Sequence, residues 1–153
     1  MCQVLMQTVL INITPSMRNG DKIVMHRYGH EVGGVTGDLV VFLNQSKNPV
    51  FSVVGDDLLC VRNVPLTMAV YGGRVDVKGI DNKNIRIVLA EPFPLYPPLV
   101  KRIEGEGMKT LNGRGSLMVK FYVYFPSVPS HLMTESLKVL RKVEQDPKNA
   151  EEE

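Results

Sequence analysis

The chain repeats a short pattern of residues at a fixed distance of 78 positions. The repeated residues are Gly29, Gly37, Leu39 and Val41, which recur as Gly107, Gly115, Leu117 and Val119. A β-branched stretch precedes each glycine pair, and an apolar stretch follows it. Such a repeat constrains the fold more than composition does, because both copies have to form the same small unit. We therefore expect two small β units in tandem, a scaffold that favours binding over single-pocket catalysis.

Size and charge narrow the classes of protein further. A unit of about 75 residues buries only about 60% of its unfolded surface, so we expect mutual packing or dimerisation to support it. The 18 basic and 16 acidic residues are too evenly balanced to indicate nucleic acid or an anionic membrane as a partner. The longest apolar runs are also too short to span a bilayer.

Alternating apolar residues and turn signals predict a mainly β chain. Val9–Ile13 has the alternation of a half-buried strand, and the turn at Asn19-Gly20 leads into the next one. The predicted strands are Val9–Ile13, Lys22–His26, Asp38–Asn44, Leu58–Val61, Arg74–Lys78, Asn84–Leu89, Lys101–Glu104 and Leu117–Phe125. Pro65–Tyr71 is expected to form a short helical turn, and the proline-rich Glu91–Pro98 a loop.

The pattern changes after Pro126. Residues Leu132–Glu144 predict a helix, since Met133, Leu137, Leu140 and Val143 fall at helical spacing. A helix of this length is marginal in water, so its apolar stripe needs a partner. The polar tail that follows is expected to be disordered.

The residue types that could bind a metal or act in catalysis are not arranged in a pattern typical of either function. Asp56 and Asp57 are adjacent at the start of a strand and point to opposite faces, which makes them poor metal co-ligands. Cys2 and Cys60 are too few for a disulfide scaffold and are read as free thiols. No Ser/His/Asp or Cys/His arrangement supports nucleophilic catalysis. We expect no enzymatic activity, no metal and no cofactor.

A set of short motifs in a fixed order resembles the C-terminal substrate-binding region of DnaJ-type J-domain proteins, the co-chaperones of the 70-kDa heat-shock chaperone. The motifs are Pro15–Asp21, Gly37–Leu39, Lys47–Phe51, Gly55–Leu58, Gly72-Gly73, Gly105–Met108 and Gly115–Leu117. No single motif is specific, but the ordered set covers roughly residues 8–144. His-Pro-Asp and Cys-x-x-Cys motifs are absent, so zinc-bearing and zinc-free classes are not distinguished.

The resemblance implies two tandem small β-sandwich or barrel-like domains followed by a C-terminal dimerisation helix. The implied division is a partial first client-binding domain in residues 1–50, a second β domain in 51–128, the helix in 129–145 and a disordered tail in 146–153. The family's strands before Val9 are missing, so we expect a fragment or a truncated gene product. The expected compartment is the cytoplasm, with the endoplasmic reticulum left open.

The resemblance also implies the site residues. Unfolded client polypeptides would bind at Val9, Ile11, Leu39 and Val41, although these residues also fit an ordinary core. The acidic tail of the 70-kDa chaperone would bind at Lys22, Arg27 and Lys47, and a homodimer would form through Met133, Leu137, Leu140 and Val143. Packing of this helix on its own second domain is the alternative. The competing function is a structural dimerisation module with an incomplete client groove.

Overall fold

A computed structural model describes residues 3–125, 127 and 130–146. The strands are β1 (Lys22–Met25), β2 (Glu31–Val32), β3 (Val35–Thr36), β4 (Leu39–Phe42), β5 (Phe51–Val54), β6 (Asp57–Pro65), β7 (Gly73–Lys78), β8 (Asn84–Leu89), β9 (Leu99–Ile103), β10 (Lys109–Thr110), β11 (Gly113–Arg114) and β12 (Leu117–Tyr124). The helices are α1 (Leu66–Tyr71) and α2 (Ser130–Glu144). The expected fold class is confirmed: the chain is mainly β, with small sheets and a C-terminal helix.

The largest sheet has the strand order β5-β6-β12-β9. Its centre is a parallel pair, β6 with β12, in which Leu58 lies opposite Leu117 and Pro65 opposite Tyr124. Strands β5 and β9 join antiparallel on either side. The parallel pair requires a long connection, and residues 66–116 supply it with α1, the β7–β8 hairpin and β9.

The hydrophobic core lies between this sheet and the β7–β8 hairpin. Alternate residues of each strand point into it, as the period of two requires. The buried apolar side chains are Leu58, Cys60, Val64, Val77, Ile85, Ile87, Leu89, Leu117, Val119 and Phe121. The hairpin itself turns through Asn82, whose φ of 63° lies in the left-handed region that asparagine tolerates.

The structure confirms the repeat down to individual hydrogen bonds. We call residues 22–42, which contain β1 to β4, the first repeat, and residues 100–120, which contain β10, β11 and the paired parts of β9 and β12, the second repeat. The antiparallel pair Met25 opposite Leu39 recurs as Ile103 opposite Leu117. The amide of Gly29 donates to the Gly37 carbonyl at 2.9 Å, and the bond 78 residues later has the same length.

The glycines are required by this turn geometry. A Cβ at Gly29 would lie 2.6 Å from the Asp38 carbonyl oxygen, and one at Gly107 would lie 2.6 Å from the Ser116 carbonyl oxygen. Neither distance leaves space for a larger residue. The shared glycine signal therefore reflects a shared close approach of two backbone segments.

The predicted strand at Val9–Ile13 is wrong, because the structure has no strand there. With the offset of 78, this segment corresponds to residues 87–91, which include the end of β8. In the second half of the chain β8 pairs with β7, whereas no strand among the described residues pairs with Val9–Ile13. Alternation alone cannot hold a strand without a hydrogen-bonding neighbour.

The other predicted elements are confirmed with shifted ends. Strand β6 runs from Asp57 to Pro65, longer than Leu58–Val61, because both of its edges are paired. Helix α1, the β7–β8 hairpin and helix α2 lie where the sequence predicts them. Most of the tail predicted to be disordered, residues 147–153, lies outside the described residues. The division into domains at residues 50 and 128 stays a prediction.

Candidate functional site

Leu39 and Val41 lie two residues apart on β4 and therefore on the same face of that strand. Both are half-buried. Their counterparts in the second repeat, Leu117 and Val119, are 0% exposed in the core. The same residue types in the same hairpin thus differ in exposure, and the difference comes from their neighbours.

Val9 and Ile11 are also half-buried. Their counterparts are Ile87 and Leu89 of β8, which are 6% and 2% exposed. Among the described residues, no hydrogen bond connects residues 3–13 to β4. All four residues predicted to bind peptide are thus counterparts of core positions, but the structure does not join the two pairs through a shared strand ladder.

The exposure of β4 follows from the strands that surround it. In the second repeat, β12 has β9 on one side and β6 on the other. In the first repeat, β4 pairs with β1 alone within the described part of the chain. The first repeat consequently presents apolar side chains that the second repeat covers.

The outer face of β4 adds to this surface. Val40 and Phe42 point away from Leu39 and Val41, and both are exposed. Each exposed apolar side chain leaves area in contact with water that an incoming apolar group would remove, at roughly 25 cal/mol for each Å². An extended apolar segment can therefore gain stabilisation on either face of β4.

The three residues predicted to bind the acidic tail do not form one described contact cluster. Lys22 lies on β1, Arg27 in the turn after it, and Lys47 in the connector between β4 and β5, and all three are exposed. The Arg27 backbone has a φ of 64°, and its amide donates to Asp38 Oδ1 at 3.1 Å. No ion pair is described for any of the three side chains, so their charges remain available.

Lys47 borders a groove that sequence reasoning did not find. The groove has a volume of about 880 Å³ and lies between the connector and β5. Phe51, Leu58 and Met108 contribute apolar surface to it, and Arg18 lines it as well. Its residues are separated by up to 90 positions in the sequence, so no local pattern could predict it.

Arg18 ties the segment before β1 to the second repeat. Its Nη2 atom lies 3.2 Å from Asp56 Oδ1 and donates to the carbonyl oxygen of Lys109 at 2.7 Å. The connector is fixed at its far end by Asn48, whose Oδ1 accepts the amides of Val50 and Phe51 at 2.8 and 3.1 Å. These bonds connect the segment before β1 to the second repeat and close the turn that leads into β5.

The residues predicted to form the dimer lie on one helix, α2. Met133 is half-buried, while Leu137, Leu140 and Val143 are exposed. The apolar stripe is therefore not covered by the chain's own second repeat in the described structure. This exposure favours an external partner over packing within one chain.

The carboxylates of Asp56 and Asp57 bind nearby arginines and a backbone amide. Asp56 pairs with Arg18, while Asp57 Oδ1 accepts the Ser116 amide at 2.7 Å and its other oxygen lies 3.8 Å from Arg102. Across the residues the structure describes, no group of three His, Cys, Asp or Glu side chains is arranged to hold a metal ion. None of the described helices is both long and apolar enough to cross a membrane.

Comparison with known proteins supplies a family. Residues 3–126 match the family model described as DnaJ C terminal domain. The chain is 32% identical over 140 residues to the chaperone protein DnaJ of Treponema denticola, a match that covers 90% of this chain and 36% of that protein. It is 31% identical over 152 residues to the mitochondrial protein import protein mas5 of Schizosaccharomyces pombe, a match that covers 94% of this chain and 37% of that protein. The chain thus spans little more than a third of the length of these relatives.

Proposed function

Because the chain belongs to the DnaJ C-terminal domain family, we propose that it binds exposed apolar segments of unfolded client polypeptides. The family is one of non-enzymatic chaperones. We further propose that the chain works with the 70-kDa heat-shock chaperone in protein folding, that it forms a homodimer, and that it acts in the cytoplasm.

One observation carries the proposal: the apolar residues of the first repeat are accessible, whereas their counterparts in the second repeat are buried. Leu39 and Val41 are half-buried on β4, and Val9 and Ile11 are half-buried before it. An unfolded client offers apolar side chains at alternate positions of an extended backbone. Such a segment matches both the spacing on β4 and its hydrogen-bonding edge.

Three exposed basic residues of the chain could bind the acidic tail of the 70-kDa chaperone. An acidic peptide tail is attracted to Lys22, Arg27 and Lys47, whose side chains have no described carboxylate partner. Exposed charges of this kind raise the association rate more than the affinity, and salt screens them. The association rate of the acidic tail of the 70-kDa chaperone should therefore fall as the ionic strength rises.

Suppression of aggregation of a chemically denatured client tests the client-binding proposal. The wild-type chain should reduce light scattering at a few-fold molar excess, and the Val41→Ser variant should do so much less. Val35→Ser is the matched control, because it changes an exposed valine of the same repeat that lies on β3, outside β4. Equal activity of all three chains would contradict a role for the face of Leu39 and Val41.

The alternative function is a structural dimerisation module that binds little. It is favoured by the fact that all four predicted peptide-binding residues are counterparts of core residues. A complete lack of aggregation suppression by the wild-type chain, together with a stable dimer, would support this alternative.

A further inference from the structure

The outer edge of β7 faces no other strand among the described residues. β7 pairs with β8 alone, and the Gly79 amide closes this hairpin by donating to the Lys83 carbonyl oxygen at 2.9 Å. Hydrogen-bonded and non-hydrogen-bonded pairs alternate along an antiparallel ladder, so every second residue before Gly79 bonds to β8. The residues between them are Arg74, Asp76 and Lys78, and their backbone amides and carbonyls point to the open edge.

A second groove, with a volume of about 770 Å³, lies along this edge, and we call it the β7 groove. Asp76, Val77 and Lys78 of β7 line it together with residues of β5 and β6. Val50 and Val61 contribute apolar surface to it and are 59% and 51% exposed. The groove therefore has the size of a typical ligand site, and its walls combine apolar and charged side chains.

Positive charge in and beside the β7 groove has no described carboxylate partner. Arg62 extends from β6 to β7, where its Nη2 atom donates to the Asp76 carbonyl oxygen at 2.7 Å. Lys78 lines the groove, and Arg74 lies further along the same edge. None of these three basic side chains forms an ion pair within the described part of the chain. The Asp76 carboxylate beside them is already bound by Arg86, at 3.0 Å.

We propose that the β7 groove binds an extended acidic segment of a partner polypeptide, which adds to the open edge of β7 as a further strand. Main-chain hydrogen bonds to Arg74, Asp76 and Lys78 hold the segment, as in other cases of strand addition. Its carboxylates neutralise basic side chains that a purely apolar segment leaves unpaired. The Asp76 carbonyl oxygen has a second lone pair, so the segment can bond to it while Arg62 stays in place. The site lies on a different strand from the proposed client-binding residues and goes beyond that function.

The exposed face of β7 defines the spacing of the carboxylates in this segment. Arg74, Asp76 and Lys78 occupy alternate positions of β7, so their side chains lie on the same exposed face. A strand beside β7 places its own side chains opposite these three. It should carry carboxylates opposite Arg74 and Lys78 and a neutral residue opposite Asp76. The residues between these positions face the groove and should be apolar.

A labelled peptide with the sequence Gly-Glu-Val-Asn-Val-Glu-Gly, blocked at both ends, tests the proposal by fluorescence anisotropy with the full chain. We expect saturable binding to the wild type. Binding should be about fivefold to tenfold weaker when glutamine replaces both peptide glutamates, since each exposed ion pair contributes little by itself. The double variant Arg74→Gln with Lys78→Gln should weaken binding of the original peptide by a similar factor.

A second double variant, Lys101→Gln with Lys109→Gln, is the matched control. It also removes two positive charges from exposed side chains of the same half of the chain, but neither residue lines the β7 groove. This variant should bind the peptide as the wild type does. Amide exchange of Asp76 and Lys78 should slow when the peptide is added, while that of Lys101 should not change.

Several outcomes would overturn the proposal. They are the absence of saturable binding, equal binding of the glutamine peptide, and equal binding by the Arg74→Gln, Lys78→Gln variant. Loss of binding in Lys22→Gln with Lys47→Gln instead would also overturn it, because the acidic peptide would then bind at the first repeat. The client-binding proposal is tested separately, since Val41→Ser should bind the peptide normally and the Arg74→Gln, Lys78→Gln variant should still suppress client aggregation.

Discussion

Leu39 and Leu117 occupy the same position in two copies of one hairpin, opposite Met25 and Ile103 respectively. Leu117 is 0% exposed, whereas Leu39 is only half-buried. The hairpin backbone is the same in both repeats, so the difference comes from what packs against it. A chain can thus use one sequence pattern as a core element in one place and as an accessible apolar surface in another.

The first prediction follows from this contrast. Leu117→Ala should lower the free energy of unfolding by about 2–5 kcal/mol, because it leaves a cavity in a closed core. Leu39→Ala should lower it by only about 1 kcal/mol, since its side chain still contacts water in the folded state. Urea unfolding followed by far-ultraviolet circular dichroism measures both. Equal losses would show that the first repeat is packed as tightly as the second.

The contacts of Arg18 lead to the second prediction. Arg18→Ala removes the ion pair with Asp56 and the bond to the Lys109 carbonyl, and so releases the segment before β1 from the second repeat. Since Asp56 is largely exposed, the cost should be modest, about 1 kcal/mol. We expect faster limited proteolysis in the connector, residues 43–50, with little change in the unfolding of the second repeat.

Asp56→Asn is the graded control for Arg18. It weakens the ion pair but leaves the 2.7 Å bond from Arg18 to the Lys109 carbonyl in place. Its connector should therefore be cleaved at a rate between those of the wild type and Arg18→Ala. Cleavage of Arg18→Ala at the wild-type rate would contradict the role of Arg18 in holding the two parts together.

The third prediction concerns Cys60, the buried thiol of β6. Burial raises the pKa of Cys60, and the nearby positive charge of Arg62 opposes this shift only in part. At neutral pH the folded thiol should therefore react with alkylating reagents at least about 100-fold more slowly than the unfolded chain, because reaction requires opening of the core. A Cys2→Ser background makes Cys60 the only reporting thiol.

The same shift has a consequence for stability at high pH. Because the folded pKa of Cys60 lies above the unfolded value, the unfolded chain loses its proton first as the pH rises. The contribution of the Cys60 thiol to the free energy of unfolding is fully present below the pKa of the unfolded chain, about 8.5. It is lost as the pH rises through the pKa of the folded chain. Stability should thus fall more between pH 8 and pH 10.5 in the Cys2→Ser chain than in Cys2→Ser with Cys60→Ala. Parallel curves would contradict the shift.

The sequence predicts the local elements well and the non-local ones poorly. The β7–β8 hairpin follows from a turn signal at Asp81-Asn82 between two alternating runs, all within 17 residues. The parallel pairing of β6 with β12 joins segments about 60 residues apart, and no local signal indicates it. The strand predicted at Val9–Ile13 failed for the same reason, since alternation predicts which face is apolar but not whether a neighbouring strand exists.

The candidate site likewise has residues that the sequence predicts and a groove that it does not. The family resemblance indicates all four predicted peptide-binding residues, and the offset of 78 identifies Val9 and Ile11 as counterparts of core residues in β8. The groove that Arg18 lines is formed by segments that are distant in the sequence, so no local sequence pattern predicts it. Tertiary neighbours, rather than residue types, decide which apolar positions are open to a ligand.

The last prediction concerns α2 and the proposed homodimer. Leu137 and Leu140 are exposed on a helix that contains Met133 one turn earlier, and burying this stripe in a second copy would remove its apolar area from water. Leu137→Asp would place a charge in that contact and should convert the dimer to a monomer in sedimentation velocity. Lys138→Asp is the matched control, because Lys138 is exposed and lies about 100° or more around the helix axis from each of the four stripe residues. It should leave the dimer intact. A wild-type chain that sediments as a monomer would contradict the dimer directly, whereas monomers from both variants would show that any charge on α2 disrupts the helix rather than a specific contact.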